Sequence, residues 1–239
     1  MKKIILLLSF FAFLTLANAQ DLRNLRIGLV FTNSLMFPSS DNVNIKSIPS
    51  YSFDYGISFD YYFAENYAFS TGLYLENPFI YRKGGIASIA DSTFYAGDFA
   101  VKNKLTSTTA QNQEKITGMH LNIPISFKLK TNEIGYFKYF GDIGLLNSFR
   151  IQSRYTLEGT DIQKVRFGKS NNSELPINYH TNLYNLSLSV GGGIEWTISD
   201  RTALMVGIYF YNGFLDYIED NDQKATYMRK LSLRTGILF

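Results

Sequence analysis

The sequence predicts an all-β protein, namely an eight-stranded antiparallel transmembrane β-barrel with a filled polar lumen. Three observations support this prediction. Bulky residues alternate with small or charged ones at a period of two, short and long connections alternate along the chain, and the first residues follow the order of an export signal. A chain with these features is exported and then crosses a membrane with strands.

Residues 1–19 have the order of a secretory signal peptide. Two lysines precede an apolar run over residues 4–16, and Ala17-Asn18-Ala19 then supplies small residues. The alternative is a retained anchor helix, which needs about 20 apolar residues, and this run is shorter. We therefore predict a signal peptide at 1–19 and an outer-membrane β-barrel domain at 20–239.

Composition excludes several classes of protein. The sequence has no cysteine, so neither a lipid-anchored lipoprotein nor a disulfide framework is expected. The formal charge is +3, and loss of the signal peptide removes two lysines and no acidic residue, which leaves +1. A chain so close to neutral lacks the basic surface that nucleic acid requires, so nucleic acid is not a predicted partner.

Residues 51–63, YSFDYGISFDYYF, show the alternation most clearly. Every odd position in this stretch is aromatic or aliphatic, whereas helical spacing would align Phe53 with Gly56 and Asp60, so the period is two. The same alternation recurs in seven further segments and gives eight predicted strands. The other seven are Leu25–Phe31, Phe69–Leu75, Met119–Leu129, Phe137–Leu145, Tyr184–Trp196, Leu204–Phe210 and Leu231–Phe239.

The connections between these strands alternate in length. Short polar turns are predicted at 64–66, 131–133 and 199–201, and longer connections at 37–49, 83–115, 154–180 and 217–224. A soluble domain rarely contains so many long loops, whereas a membrane barrel has short turns at one end and long loops at the other.

Volume decides which face of the strands points inward. An eight-stranded barrel has an interior only wide enough to be filled by side chains, so we expect glycines, serines and a few long charged side chains inside. Buried charges are costly unless they are paired, so the inward charged residues are predicted to form a structural ionic network. These residues are Asp54, Asp60, Glu76, Lys128, Lys138, Asp142, Glu195, Lys230 and Arg234.

The bulky face must then point outward, into lipid. Rings near the strand ends fit the aromatic girdles of a membrane barrel. The alternative is a soluble, lipocalin-like barrel with an apolar interior, which would have to hold about thirty large side chains in one cavity. The rings assigned to the girdles are Tyr51, Tyr61, Phe63, Phe137, Tyr139 and Trp196.

The stretch 119–150, MHLNIPISFKLKTNEIGYFKYFGDIGLLNSFR, resembles the signature hairpin of the PorT-like outer-membrane barrel family. The matching features are the run Leu121-Asn122-Ile123-Pro124, the segment 128–136 and the motif Tyr139-Phe140-Gly141. The resemblance implies an outer-membrane barrel whose last residue, Phe239, is read by the barrel-assembly machinery. Some members of that family are accessory components of type IX secretion, and the resemblance implies such a role here.

Other motifs in the sequence are weak. Pro124 removes a ladder hydrogen bond, so a bulge is expected there. His120 and His180 begin strands after long loops and are expected at the solvated rim, although a rim enzyme acting on lipid or peptide would use such histidines. The triplet 168–170 lacks the glycine of a phosphate loop, and the glycines 191–193 are expected to mark a kink or a close side-chain approach.

The acidic residues of the last loop supply oxygen atoms that suit calcium, but they lack the spacing of a calcium loop, so a solvated loop tip is expected. These residues are Asp216, Glu219, Asp220 and Asp222.

The function predicted from the sequence is a non-enzymatic, structural or accessory outer-membrane component without cofactor. Its expected partners are outer-membrane lipid and lipopolysaccharide, the barrel-assembly machinery and secretion-system components. A small channel or transporter, or a rim enzyme, is the alternative.

Overall fold

The computed structural model describes residues 24–40, 46–83, 94–96, 99–101, 113–157, 160–166, 169–170, 180–199, 202–219 and 225–239. The predicted signal peptide lies outside the described residues, as does most of the polar tract over 106–113.

Eight long antiparallel strands close into a barrel. In chain order the strands of the described residues are β1 (Leu25–Ser40), β2 (Lys46–Ala64), β3 (Tyr67–Lys83), β4 (Phe94–Ala96), β5 (Phe99–Val101), β6 (Gln113–Lys130), β7 (Phe137–Leu157), β8 (Thr160–Arg166), β9 (Lys169–Ser170), β10 (His180–Thr181), β11 (Tyr184–Thr197), β12 (Ala203–Gly213), β13 (Ile218–Glu219) and β14 (Thr226–Leu238). The barrel follows the order β1-β2-β3-β6-β7-β11-β12-β14, and β14 pairs with β1 to complete it. The eight-stranded closed barrel predicted from the alternation is therefore confirmed.

The two ends of the barrel differ, as the connection lengths predict. We call the end with the short connections 65–66, 131–136 and 198–202 the turn end, and the opposite end the loop end. Gly135, in the second of these turns, has a φ of 68°, a left-handed conformation that favours glycine. The start of β1 and the residue after β14 meet at the turn end, where Phe239 exchanges two backbone hydrogen bonds with Ile27.

The barrel strands run further toward the loop end than the alternation indicates. β1 continues to Ser40 and β2 begins at Lys46, so most of the connection expected at 37–49 is strand. β6 and β7 also extend beyond the expected bounds, and β8 and β9 continue the sheet beside the upper part of β7. The wall is therefore tallest on the β3, β6 and β7 side.

The outer surface of the barrel is apolar along its length. Large hydrophobic side chains at alternate positions are exposed on every barrel strand, an arrangement that would be unfavourable in water and is suited to lipid. Aromatic rings collect at both ends of this surface. At the turn end they are Tyr61, Phe63, Tyr67, Phe137, Tyr139 and Trp196; at the loop end they are Phe37, Tyr51, Phe79, Phe149, Tyr184 and Phe214. The described residues contain no helix that is long and apolar enough to cross a bilayer.

The interior differs from the expectation of small residues and charges alone. Tyr74, Phe140, Tyr209 and Tyr211 point inward and are buried. Inward glycines give these rings their space, because a Cβ at Gly191 would lie 2.3 Å from the ring of Tyr209. The lumen is thus filled by rings set against glycines, as well as by charges.

Pro124 does not lie at a bulge, which corrects the expectation for this residue. It pairs in register with Leu146 of β7, and the bulge of that ladder falls between Met119 and His120. On the β3 side the pairing runs to Thr71 and resumes at Tyr74 without a change of register. The Thr71 hydroxyl donates a hydrogen bond of 2.8 Å to the carbonyl of Pro124, which helps to hold the strands together where the proline lacks an N–H.

We predict that Gly191→Ala destabilises the barrel by about 1–3 kcal/mol, because the added methyl group overlaps the ring of Tyr209. Urea unfolding of the refolded barrel in lipid vesicles measures the change. Gly141→Ala is the matched control, since a Cβ at that glycine meets no atom within 4 Å. Equal free energies of unfolding for the two variants would contradict the packing described here.

Candidate functional site

The polar residues of the lumen form layers, and the first layer lies near the turn end. Glu195 has a completely buried side chain and lies 2.7 Å from both Arg26 Nη1 and Lys128 Nζ. Lys128 Nζ is also 2.8 Å from Asp60 Oδ2, and Lys130 Nζ is 3.2 Å from Glu195 Oε2. Five strands contribute to this layer, because its residues come from β1, β2, β6 and β11 and the hydroxyl of Ser70 on β3 donates to Asp60.

The middle layer is built around Arg234. Its guanidinium carbon lies 4.1 Å from the ring centroid of Tyr209 and 5.1 Å from that of Tyr74, and Nη2 donates a 2.8 Å hydrogen bond to the Tyr211 hydroxyl. Cation–π contacts of this kind gain strength when the cation is desolvated. The three tyrosines therefore stabilise a buried positive charge.

Two carboxylates accompany this layer. Asp54 and Asp142 are buried, and Asp142 accepts a 3.1 Å hydrogen bond from Ser126. A cavity of about 20 Å³ lies between this layer and the turn-end layer, with Asp142, Lys128 and Arg234 in its lining. A space of that size holds about one water molecule, so it is too small for an open aqueous pore.

The third layer, nearest the loop end, centres on Glu76. Lys230 Nζ lies 2.9 and 3.0 Å from its two carboxylate oxygens, while Ser52 and Asn122 donate hydrogen bonds of 2.8 and 2.7 Å to the same carboxylate. Since four donor contacts surround one buried carboxylate, the charge is well compensated.

Lys138 is the one predicted network residue that lies apart from these layers. Its side chain is 30% exposed and pairs at 2.9 Å with Glu133 in the turn, rather than with a group across the lumen. The reason is its position, one residue beyond the first residue of β7, where the side chain reaches the solvent at the turn end. The other eight predicted residues lie buried in the lumen.

The loop end of the lumen is closed by two segments that we call the outer cap, residues 180–183 and 214–219. β10 and β13 pair within it through Thr181 and Ile218, and the backbone of Asn182 donates a 2.9 Å hydrogen bond to the carbonyl of Tyr217. Tyr217 and Ile218 are buried against apolar side chains of the barrel wall. That apolar cluster also contains Met36, Ile80, Ile116 and Met228.

His120 lies below the outer cap and not at the solvated rim, which corrects the expectation for this residue. It is inward and buried, and its Nε2 is 3.5 Å from the hydroxyl of Tyr217. Burial raises the pKa of Tyr217 well above its usual range, with the Glu76 carboxylate adding to the effect, so the hydroxyl beside the histidine remains protonated. The other histidine, His180, is placed by its backbone in β10.

The remaining motifs supply no binding chemistry in the described residues. Asp216 accepts hydrogen bonds from the backbone N–H groups of Ile218 and Thr226, so its carboxylate fixes the cap. Asp220 and Asp222 lie outside the described residues. Where the structure describes the chain, no three histidine or acidic side chains are placed to hold a metal ion.

Several residues of the network were missed from the sequence. Arg26 and Lys130 occupy even-numbered positions, as the other inward residues of β1 and β6 do. This parity, odd or even, of the residue number could have identified them. The inward rings of β12 follow the same alternation, since the outward set is Leu204, Val206 and Ile208. Tyr217 carries no such signal, because it lies in a connection without periodicity.

We predict that Glu195→Gln destabilises the barrel by about 3–5 kcal/mol, because it leaves the buried Lys128 and Lys130 and the partly buried Arg26 around a neutral side chain. The rim variant Glu133→Gln is the control and should cost less than about 1 kcal/mol, since its ion pair is partly exposed. Urea unfolding in vesicles measures both. Similar small losses would show that the turn-end layer adds little to stability.

Solved structures that are similar to this chain include neisserial surface protein A, NspA (10% identity, 90% of this chain and 96% of that chain, TM-score 0.43). OprG from Pseudomonas aeruginosa also matches (10% identity, 90% and 96% coverage, TM-score 0.47), as does the outer membrane enzyme PagL (9% identity, 87% and 97%, TM-score 0.34). A comparison with curated protein sequences gives no match. The family model of the outer membrane protein β-barrel domain matches residues 18–219, and this chain therefore belongs to that family and lies in the outer membrane.

Proposed function

We propose that the protein is a non-enzymatic, structural or accessory component of the outer membrane that serves type IX secretion or surface assembly. The observation that supports this most is the closure of the lumen, which charge layers, rings and the outer cap fill from the turn end to the loop end. A barrel without a passage acts through its outer surfaces. The resemblance of residues 119–150 to the PorT-like signature hairpin supports the secretion role.

The surface best suited to a protein partner is the tall side of the wall. β7 runs eight residues beyond Phe149 of the loop-end girdle, and β3 runs four residues beyond Phe79, whereas β12 ends at Gly213, just before Phe214. Loops lie outside the cell in barrels of this kind. The β3, β6 and β7 side, extended by β8 and β9, therefore projects from the membrane and offers backbone and side chains for a partner.

We predict that deletion of the gene reduces type IX secretion and surface motility, and that the wild-type gene restores both. Secreted cargo in the culture medium and spreading on agar are the measurements. A complementing gene whose β7–β8 extension is shortened to the height of β12 should insert at wild-type abundance and fail to restore secretion. Full secretion and motility in the deletion strain would exclude the secretion role and leave a structural role in the membrane.

We also predict that the purified barrel shows no steady conductance in planar bilayers, because the cavity between its turn-end and middle layers admits only about one water. The small channel is the alternative that this measurement tests. A Tyr217→Ala, Ile218→Ala variant of the outer cap should remain non-conducting, since the charge layers below still fill the lumen. Steady ion currents through the wild-type barrel would overturn the closed-lumen interpretation.

A further inference from the structure

A groove of about 440 Å³ lies on the lipid-facing surface of β12, β14, β1 and β2, in the half nearer the loop end. Its walls are formed by five outward apolar or aromatic side chains and one asparagine. These are Leu35, Tyr51, Ile208, Leu231, Leu233 and Asn33. Since the loop end faces the outside of the cell, the groove lies at the depth of the outer leaflet.

The floor of the groove offers no free polar group. It is formed by inward serines, and Ser34 and Ser232 are hydrogen-bonded to each other at 2.6 Å. Ser52 donates to Glu76 inside the lumen. Because these hydroxyls bond to partners within the barrel, the groove presents a dry apolar channel to the membrane and suits a hydrocarbon chain.

Asn33 is a polar side chain in this apolar setting. It pairs with Phe53 and Leu233 and lies two positions below the level of Tyr51, or about 7 Å along the strand. Among the described residues its amide has no hydrogen-bond partner. Asn147, another outward asparagine, is satisfied by the hydroxyl of Tyr184 and the carbonyl of Ile123.

An unpaired amide in hydrocarbon is costly, so Asn33 needs a partner that the membrane supplies. The ester and amide linkages of lipids lie just below their headgroups, at the depth where Asn33 faces outward below the loop-end girdle. Such linkages offer carbonyl oxygens that can accept from the amide.

Arg229 lies above the groove on the same face of β14, one outward position beyond Leu231. It pairs with Phe37 of the loop-end girdle, which places it at headgroup level. Its Nε donates a 3.3 Å hydrogen bond to Asn212, which orients the guanidinium. The two terminal nitrogens donate to no described residue, so they are available for a bidentate contact with phosphate.

We propose that this groove is a binding site for a phosphorylated acylated glycolipid of the outer leaflet. One acyl chain lies in the groove, the linkage of that chain bonds to Asn33, and a phosphate group contacts Arg229. The groove is on the opposite surface from the lumen, and the proposal depends on the outer-membrane location and not on the secretion role. Lipid binding in vitro therefore tests it independently of secretion in the cell.

We predict that the purified barrel in non-ionic detergent binds diphosphorylated lipid A, and that Arg229→Gln and Asn33→Leu each weaken this binding, the former by about tenfold. Native mass spectrometry measures the fraction of lipid-bound barrel during titration. Both substitutions lie on the lipid-facing surface, so the barrel is expected to fold. Asn77→Leu is the matched control, because Asn77 faces outward on β3, outside the groove. This variant should bind lipid A as the wild type does.

Two further titrations identify the lipid chemistry. Lipid A without phosphate should bind the wild type and Arg229→Gln equally weakly, and phosphatidylglycerol should bind the wild type less well than diphosphorylated lipid A. Wild-type affinity for lipid A in either groove variant overturns the proposal. Equal affinity for phosphatidylglycerol overturns its assignment to the outer-leaflet glycolipid.

Discussion

The narrow lumen is the constraint on which the rest of the structure depends. Eight strands leave space for side chains but almost none for water, so every charge that points inward must find a partner inside the barrel. The chain meets this requirement in three layers, with Glu195, Arg234 and Glu76 at their centres. The apolar exterior, the lipid-facing rings and the closed loop end all accompany this filled interior.

The fold could be predicted almost entirely from the period of two and the alternation of connection lengths. Parity assigns each strand residue to a face, and eight of the nine charged residues that it assigned to the lumen are buried in the structure. Parity does not give the position of a residue along the barrel axis or the identity of its partner. Arg26 and Glu195 are 169 positions apart, and their contact depends on the register of every intervening strand.

The errors at the candidate site have physical causes that parity does not contain. Lys138 has the inward parity but lies where the strand meets the turn, so it pairs with Glu133 at the rim. His120 follows a long loop, yet the strand extends beyond it and the outer cap covers it. Volume arguments based on single residues gave an interior of small residues and charges, whereas a glycine on the adjacent strand makes room for an inward ring, as Gly191 does for Tyr209.

The turn-end layer also bears on how the barrel enters the membrane. Its charges come from the first, second, fourth and sixth barrel strands, so Arg26 has no counter-ion until the strand that carries Glu195 has joined the sheet. A half-built sheet in lipid would present these ions unneutralised to hydrocarbon, which is strongly unfavourable. We therefore expect partly assembled forms to be retained on the machinery that delivers them until the strand that carries Glu195 has docked.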